Sequence, residues 1–202
     1  MKSLACVIAL VVGWYAYSRI TGPITYPPGV LIASDPEQTA IGANDQPFQS
    51  GAFRLEPLAR FALDARVLHR KIYRYDHQAA LVPVDLAVGW GRMSDRAILD
   101  QLEISQSSRF FWYEWQHQPP IPRSEIVSHA TNLHLIPSTS AIGSRCKSLR
   151  SGELIHLSGL LVQATGPGIG TWRSSLTRTD DGNGACELVW VEQLEDLPHP
   201  AP

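Results

Sequence analysis

FALDARVLHRKIY, residues 61–73, is the stretch that most directly indicates how this chain folds. Apolar and polar side chains alternate along its first half, and one face carries Phe61, Leu63, Ala65 and Val67. Because successive side chains of a β-strand point to opposite faces, this period of two predicts a half-buried strand that runs on toward Tyr73. Fifteen prolines and fifteen glycines among 202 residues likewise favour a turn-rich β domain over a helical bundle.

Further strands and a few short helices are predicted after this stretch. The predicted strands are Arg109–Trp115, on its aromatic content, and later Leu154–Ala164, Trp172–Thr179 and Ala185–Leu194. The predicted helices are Ser94–Leu102, with Ser94 as its N-cap, Ser124–Ala130 and Thr139–Leu149. These elements predict an α+β fold: a β-rich single domain built as a partly closed antiparallel barrel of the OB-like type with short helices.

The first twenty residues predict a segment that enters the membrane. Lys2 precedes an uncharged run of fourteen residues, LACVIALVVGWYAY, at residues 4–17. A spanning helix needs about 20 residues, so this length also suits the core of a cleaved signal peptide. The aromatic side chains at its far end are typical of a retained anchor, and they favour an uncleaved signal-anchor helix over residues 1–20.

The distribution of positive charge predicts the orientation of this helix. No Lys or Arg occurs between Ile20 and Phe53, whereas Lys2 and the amino terminus lie on the other side of the apolar run. The positive-inside rule therefore puts the N-terminus in the cytoplasm and the rest of the chain in the periplasm. We expect a single-pass protein of the bacterial inner membrane, which it contacts through residues 4–20.

The chain after the anchor divides by composition into three parts. Residues 21–52 are rich in Pro and Gly and predict a stalk or arm, residues 53–197 form the predicted periplasmic α+β domain, and residues 198–202 form a flexible tail. The formal net charge of −2 creates no positive field that would attract nucleic acid, so no nucleic-acid partner is expected.

Acidic residues, glycines and a cysteine crowd the stretch SSLTRTDDGNGACELVWVE, residues 174–192. A calcium loop of the EF-hand type is excluded, because Gly182 and Gly184 stand where oxygen ligands are needed. Asp-Gly and Asn-Gly pairs instead favour a tight turn, and we predict that the strands before and after it pair as an antiparallel hairpin. Export to an oxidising compartment also favours a disulfide between Cys146 and Cys186.

The sequence contains no complete catalytic motif and indicates no cofactor. The candidate residues for a small periplasmic hydrolase are His134 together with Asp85 or Ser94. Strand alternation places Cys186 on an apolar face, which disfavours a reactive thiolate. His129 and His134 have no standard metal-ligand spacing, so no metal site is predicted.

The aromatic run RFFWYEW, residues 109–115, is the main candidate for a binding surface. Its rings, with Trp112 among them and Arg109 at the entrance, could form a stacking platform for a glycan or a peptide. An apolar run is also typical of a core strand buried on both faces, and the sequence favours that alternative. Trp90 could line the rim of a pocket, and Asn132 lies on a polar strand face that could also bind.

Three segments together resemble a family of small proteobacterial proteins with an N-terminal membrane anchor and no assigned function: DLAVGWGRMSD at residues 85–95, NLHLIP at residues 132–137, and residues 174–192. The resemblance implies an envelope location and one domain, and it carries over no catalytic residues. At Arg92 and Leu133 the chain departs from the proline and methionine that are commoner in that family. We therefore expect a non-catalytic binding or assembly accessory in the cell envelope, whose partner is an envelope protein or a glycan. A small periplasmic hydrolase is the alternative.

Overall fold

The computed structural model describes residues 13–14, 21–177, 182 and 184–198. The strands in these residues are β1 Glu37–Thr39, β2 Phe48–Ser50, β3 Phe53–Ile72, β4 Val84–Gly89, β5 Glu103–Ser107, β6 Phe110–Glu114, β7 Ala130–Pro137, β8 Leu154–Gly166, β9 Gly170–Arg173 and β10 Glu187–Asp196. The helices are α1 Arg96–Leu99, α2 Arg123–Ser128 and α3 Ser140–Ser148, and a 3₁₀ turn occupies Gly91–Ser94. β5 and β6 form a separate hairpin, and the other strands belong to one eight-stranded sheet.

Five strands of the large sheet close into a ring. β3 pairs with β4, β4 with β7, β7 with β10, β10 with β8, and β8 returns to β3. All of these pairs are antiparallel except β7 with β10, which run parallel. The predicted β-rich single domain with a partly closed barrel and short helices is therefore confirmed, and the order of strands around the ring is consistent with the OB-like type.

The strand predicted from Phe61 onward is confirmed as the second part of β3, which begins earlier, at Phe53. Its alternating apolar side chains point into the ring, where Phe61 and Leu63 are at most 3% exposed. One edge of β3 pairs in turn with β2, β1 and β4, and the other edge pairs with β8. A register shift between Val67 and His69 turns Leu68 to the outer face of the ring.

The barrel interior is filled by side chains from the ring strands and from α3. Thr139 caps α3, because its side-chain oxygen accepts a hydrogen bond from the N–H of Ile142 at 3.2 Å. The helix and its C-cap then place Cys146 and Leu149 in the interior. The ring strands contribute, among others, Leu63, Leu86, Leu133, Leu157 and Val189.

Two further apolar clusters lie on the outer face of the ring. The first, named here the hairpin cluster, packs the β5–β6 hairpin and the helices around it against β3, β4 and β7, through Leu68, Ala87, Met93, Ile98, Ile121, Ile126 and Ala130. The second, named here the C-terminal cluster, lies at the other end of the ring, and Ile136, Leu160 and Leu188 belong to it. Strand alternation explains both, because their strand residues alternate with residues that face the interior.

Residues 21–52 lie along the barrel as an arm. The N–H groups of Leu31 and Ile32 both donate hydrogen bonds to the hydroxyl oxygen of Ser94 at 3.0 Å. The side chains of Tyr26 and Ile32 are buried against the interior cluster, and β1 and β2 pair with β3. The arm therefore contributes both sheet and core to the domain.

The hairpin predicted around residues 178–184 is not formed as a ladder within the described residues, where β9 and β10 are not paired with each other although the N–H of Ser175 donates to the backbone oxygen of Cys186 at 3.1 Å. β9 and β10 instead pair in succession with β8, at residues 163–166 and 155–161 respectively. β8 is long enough to receive both, and the ring closes only if β10 lies between β8 and β7. The predicted turn itself falls mainly on residues 178–181 and 183, which lie outside the described residues.

The structure also contradicts the predicted disulfide between Cys146 and Cys186, since both cysteines are thiols. Cys146, a residue of α3, is buried in the barrel interior. Cys186 immediately precedes β10 and lines a cleft on the outer side of the ring. The wall of the barrel therefore separates the two sulfur atoms.

None of the helices in the described residues is long and apolar enough to cross a membrane. The predicted signal-anchor helix, residues 1–20, lies outside the described residues except for Gly13 and Trp14, and the predicted tail lies outside them except for Pro198. Both remain predictions from the sequence.

Gly159 should be essential for closure of the ring. A Cβ atom at this position would lie 1.9 Å from the backbone oxygen of Trp190 on the neighbouring strand β10. We expect Gly159→Ala to lower the free energy of unfolding by about 1–3 kcal/mol, the usual effect of overpacking. Ser158→Ala, on the same strand, should change it by less than about 0.5 kcal/mol. Urea denaturation of the two purified variants measures the difference, and equal midpoints would show that Gly159 is not required.

Candidate functional site

The β5–β6 hairpin lies on the outer face of the ring, above β7. Its two-residue turn consists of Ser108 and Arg109, whose φ angles are 51° and 70°. Positive φ at both central residues defines the tight turn whose twist matches that of the flanking strands. The turn fixes the register of the hairpin, in which Ser107 pairs with Phe110 and Gln106 with Phe111.

A cleft of about 710 Å³ opens between β6, the start of β7 and the residues that precede β10. Its aromatic wall consists of the four rings of β6 and of Trp115, and its floor is formed by the first three residues of β7. The opposite wall includes Ala185 and Cys186. The residues that line it are Phe110, Phe111, Trp112, Tyr113, Trp115, Arg123, Val127, Ala130, Thr131, Asn132, Gly182, Ala185 and Cys186.

The rings of β6 are arranged in rows on the two faces of the strand. Tyr113 and Trp115 are stacked with centroids 6.2 Å apart, and they pack with Phe111 against the hairpin cluster. On the other face, the centroids of Phe110 and Trp112 are 5.9 Å apart, and Trp112 is 51% exposed. The predicted strand Arg109–Trp115 is confirmed, but the alternative of a core strand buried on both faces is wrong.

Asn132 joins the floor of the cleft to the hairpin. Its side-chain oxygen accepts a hydrogen bond from the amide of Gln106, and its Nδ2 donates to the backbone oxygen of Arg109 at 3.1 Å. The same Nδ2 lies 3.7 Å from the sulfur of Cys186. Gln106 in turn contacts Nδ1 of His69 at 2.9 Å. This buried amide therefore holds the two walls of the cleft in fixed relation.

Asp85 is the centre of a buried network beneath the hairpin turn. Its Oδ1 accepts hydrogen bonds from Nη1 of Arg109 at 3.0 Å and from Nδ1 of His134 at 2.9 Å. Arg109 also donates to Asp76 at 2.7 Å, and its guanidinium lies 3.6 Å from the centroid of the Tyr73 ring. The predicted pairing of His134 with Asp85 is thus present, and the two residues are also register partners on β7 and β4.

The side chains at the centre of this network are withdrawn from solvent, and Asp76 is its exposed member. The side chain of His134 is 5% exposed and its ring packs against Trp172, with centroids 4.7 Å apart, while the side chain of Asp85 is completely buried. Arg109, which the sequence places at the entrance of an aromatic platform, points inward instead. The network anchors the hairpin turn to the barrel and leaves none of its charged groups facing the cleft.

Ser94 and Trp90 lie away from the cleft. The hydroxyl of Ser94 donates to the backbone oxygen of Gly91 at 2.7 Å and accepts from the arm, so it serves to hold residues 21–52. Asp95, not Ser94, caps α1. Trp90 is 1% exposed in the barrel interior, and its Nε1 donates to Asp35 at 3.0 Å. Among the sequence candidates, Trp112 and Asn132 line the cleft.

Sequence reasoning missed strand β5 and therefore the hairpin. Ser108 and Arg109 carry none of the Asn-Gly signals that usually mark a turn with two positive φ angles. The residues of β5, EISQS, are mostly polar, although their burial alternates with Ile104 and Gln106 turned inward. The sequence itself shows no such alternation, because Ile104 is the one apolar residue of the five. Thr131 and Arg123, which also line the cleft, carried no signal of their own.

The described part of the chain contains no group of three or more His, Cys, Asp or Glu side chains that could hold a metal ion.

Cys186 should react with iodoacetamide in the native protein, whereas Cys146 should not. Burial raises the pKa of the Cys146 thiol to about 12, so at mildly alkaline pH it stays in the unreactive thiol form. Cys186 lines the open cleft. Mass analysis of peptides after a timed reaction measures both rates, and the reaction in guanidinium chloride is the control in which both should be modified. A peptide that links Cys146 to Cys186, or equal native rates, would contradict this arrangement.

No protein-family model matches the chain, and no curated protein and no solved structure matches it. The resemblance to anchored proteobacterial proteins therefore remains a prediction from the three segments that carry it.

Proposed function

We propose that this protein is a non-catalytic binding protein of the bacterial cell envelope, an accessory that uses the aromatic cleft to hold a partner. The observation that carries the proposal is the cleft itself, a cavity of about 710 Å³ whose wall is a row of partly exposed rings. Binding sites for ligands commonly have volumes of about 300–1,000 Å³ and combine apolar walls with a few fixed polar groups. Arg123, Thr131 and Asn132 are the polar side chains that line the cleft beside the rings.

An OB-like assignment of the barrel supports the same site. If the five ring strands are numbered in chain order, their order around the ring is first, second, third, fifth and fourth, as expected of an OB barrel. Barrels of this type bind oligonucleotides and oligosaccharides over the face of their second and third strands, which correspond here to β4 and β7. The cleft lies on the outer face of β7. The net charge of −2 favours a partner other than nucleic acid.

The hydrolase alternative receives no support from the geometry. Its candidate residues His134 and Asp85 are hydrogen-bonded to each other, but a general base must reach the proton of a substrate. The ring of His134 is covered by Trp172, and Ser94 is committed to the arm. Rings that stack on a partner require no such chemistry.

The proposed setting is the periplasmic side of the inner membrane, with residues 1–20 as a single anchor and the N-terminus in the cytoplasm. The run of residues 4–17 and the absence of Lys and Arg from Ile20 to Phe53 support it.

This location can be tested through the cysteine in the cleft. We expect a membrane-impermeant maleimide to modify Cys186 in intact spheroplasts, because the domain would then face the medium. Cys186→Ser is the matched control and should abolish the modification. Modification only after the membrane is lysed would show that the domain is cytoplasmic.

Binding through the cleft can be tested by photo-crosslinking in living cells. We expect p-benzoylphenylalanine in place of Trp112 to form a covalent adduct with the partner on irradiation. The same group in place of Tyr75, which is 96% exposed and does not line the cleft, is the control. Adducts of equal yield at both positions, or at neither, would contradict a binding role for the cleft. Mass analysis of the adduct distinguishes a polypeptide from a glycan.

A further inference from the structure

We infer that the partner in the cleft is an extended polypeptide segment that adds to the free edge of β6 as a further strand. This inference rests on the proposed function and names the chemical class of its ligand. Its basis is the hydrogen-bonding state of the β6 backbone.

The register of the hairpin determines which backbone groups of β6 are used. Ser107 and Phe110 flank a two-residue turn, so they form a pair that exchanges hydrogen bonds, and such pairs recur at every second residue. The N–H and C=O groups of Phe110 and Trp112 therefore point toward β5. Those of Phe111 and Tyr113 point to the other edge.

Within the described residues, no strand pairs with that other edge. β6 pairs only with β5, and the hairpin is a sheet of two strands. The edge faces the space between β6 and the residues before β10, since β5 lies over β3 and β6 over β7, and β10 is the next strand of the ring beyond β7. Two N–H and two C=O groups are thus presented to the cleft in one row.

An extended polypeptide is the ligand that matches this row. Its own N–H and C=O groups alternate with the spacing of a strand, so it can satisfy donors and acceptors in the order in which β6 offers them. The hydroxyl groups of a glycan recur with each sugar unit and do not reproduce the alternating amide donors and acceptors of a strand. The amide hydrogen bonds would supply affinity, and the rings would select the side chains.

The aromatic side chains of β6 suit such a guest. Phe110 and Trp112 project from one face of the strand, and Phe111 and Tyr113 from the other. A neighbouring strand would place its side chains beside these rings on both faces. We therefore expect a segment with apolar residues at alternate positions.

The edge of β6 also lacks the usual protection against strand addition. Natural edge strands are commonly blocked by proline, lysine or an inward charge. β6 has the sequence FFWYE, in which Glu114 at its end is the single charged residue. Such an edge invites pairing, and its place inside a cleft restricts access to a single extended chain.

The first test uses the full-length protein in detergent micelles and a library of N-acetylated peptide amides of about ten residues, the upper length of ordinary strands, with apolar residues at alternate positions. Binding is measured by fluorescence anisotropy and by protection of Cys186 from alkylation. The tightest binder is then made in two series of N-methylated variants. One series is methylated on the backbone nitrogens of the odd-numbered residues, and the other on those of the even-numbered residues. We expect one series to bind about tenfold more weakly for each methyl group, as loss of a hydrogen bond predicts, and the other series to bind unchanged.

The second test alters the protein edge. Tyr113→Pro removes the N–H that faces the cleft and leaves the β5–β6 ladder intact, whereas Tyr113→Ala removes the ring and keeps the N–H. We expect the proline variant to bind the peptide about tenfold more weakly than the alanine variant. Should the proline variant fail to fold, as judged by circular dichroism, the two methylated series alone decide.

Three results would overturn strand addition: no peptide of the library binds, both methylated series bind equally, or Tyr113→Pro and Tyr113→Ala bind equally. A glycan adduct from Trp112 in cells would also overturn it while leaving the binding function in place. A dimer whose formation protects Cys186 and is lost in Tyr113→Pro would assign the edge to a second copy of this chain and overturn the inference of a separate partner.

Discussion

The pairing of β3 with β8 is the interaction on which the rest of the structure depends. It runs from Arg54 opposite Thr165 to Arg66 opposite Leu154, and it joins the first strand of the ring to the fourth. Without it the five strands would form an open sheet with two exposed edges. With it, the alternating side chains of β3 face those of the other ring strands across a closed interior, and the polar residues between them remain on the outside.

Closure also defines an outer face that can carry additional structure. The chain between β4 and β7 uses that face for the 3₁₀ turn, α1, the β5–β6 hairpin and α2, which cover it with the hairpin cluster. The hairpin is held at its turn by Arg109, whose guanidinium reaches the buried carboxylate of Asp85. A buried ion pair of this kind contributes little net stability, but the removal of one partner leaves the other charge buried and unpaired. We attribute to it the position of the turn, and hence of the aromatic wall.

The cleft is lined by parts of the chain that are distant in sequence, with Arg123 and Val127 of α2 beside them. β6 provides the rings, β7 provides Asn132, and the residues before β10 provide Cys186. The buried side chain of Asn132 links β7 to strand β5 and to the hairpin turn, because it bonds Gln106 and the backbone of Arg109, and it also reaches the sulfur of Cys186. From the sequence, Trp112 and Asn132 could be singled out as binding candidates, because exposed rings and polar groups on a strand suggest contact with a ligand. That they face one space could not be predicted, since it depends on how the hairpin folds back over β7.

The sequence by itself determined the elements whose residues show a local period. The alternation from Phe61 to Val67 specifies a strand, and the stripe of Ile142, Cys146 and Leu149 specifies a helix with one buried face. Each of these patterns reports only which side of an element is apolar. The tertiary structure decided where each apolar side faces: Cys146 points into the ring, whereas Cys186 lines a cleft on its outer side, so the two cysteines never meet. It also decided which strands pair, because the hydrogen bonds between strands are made by backbone groups and therefore do not depend on the side chains that the sequence specifies. The choice of β8 as partner for both β9 and β10 follows from closure of the ring.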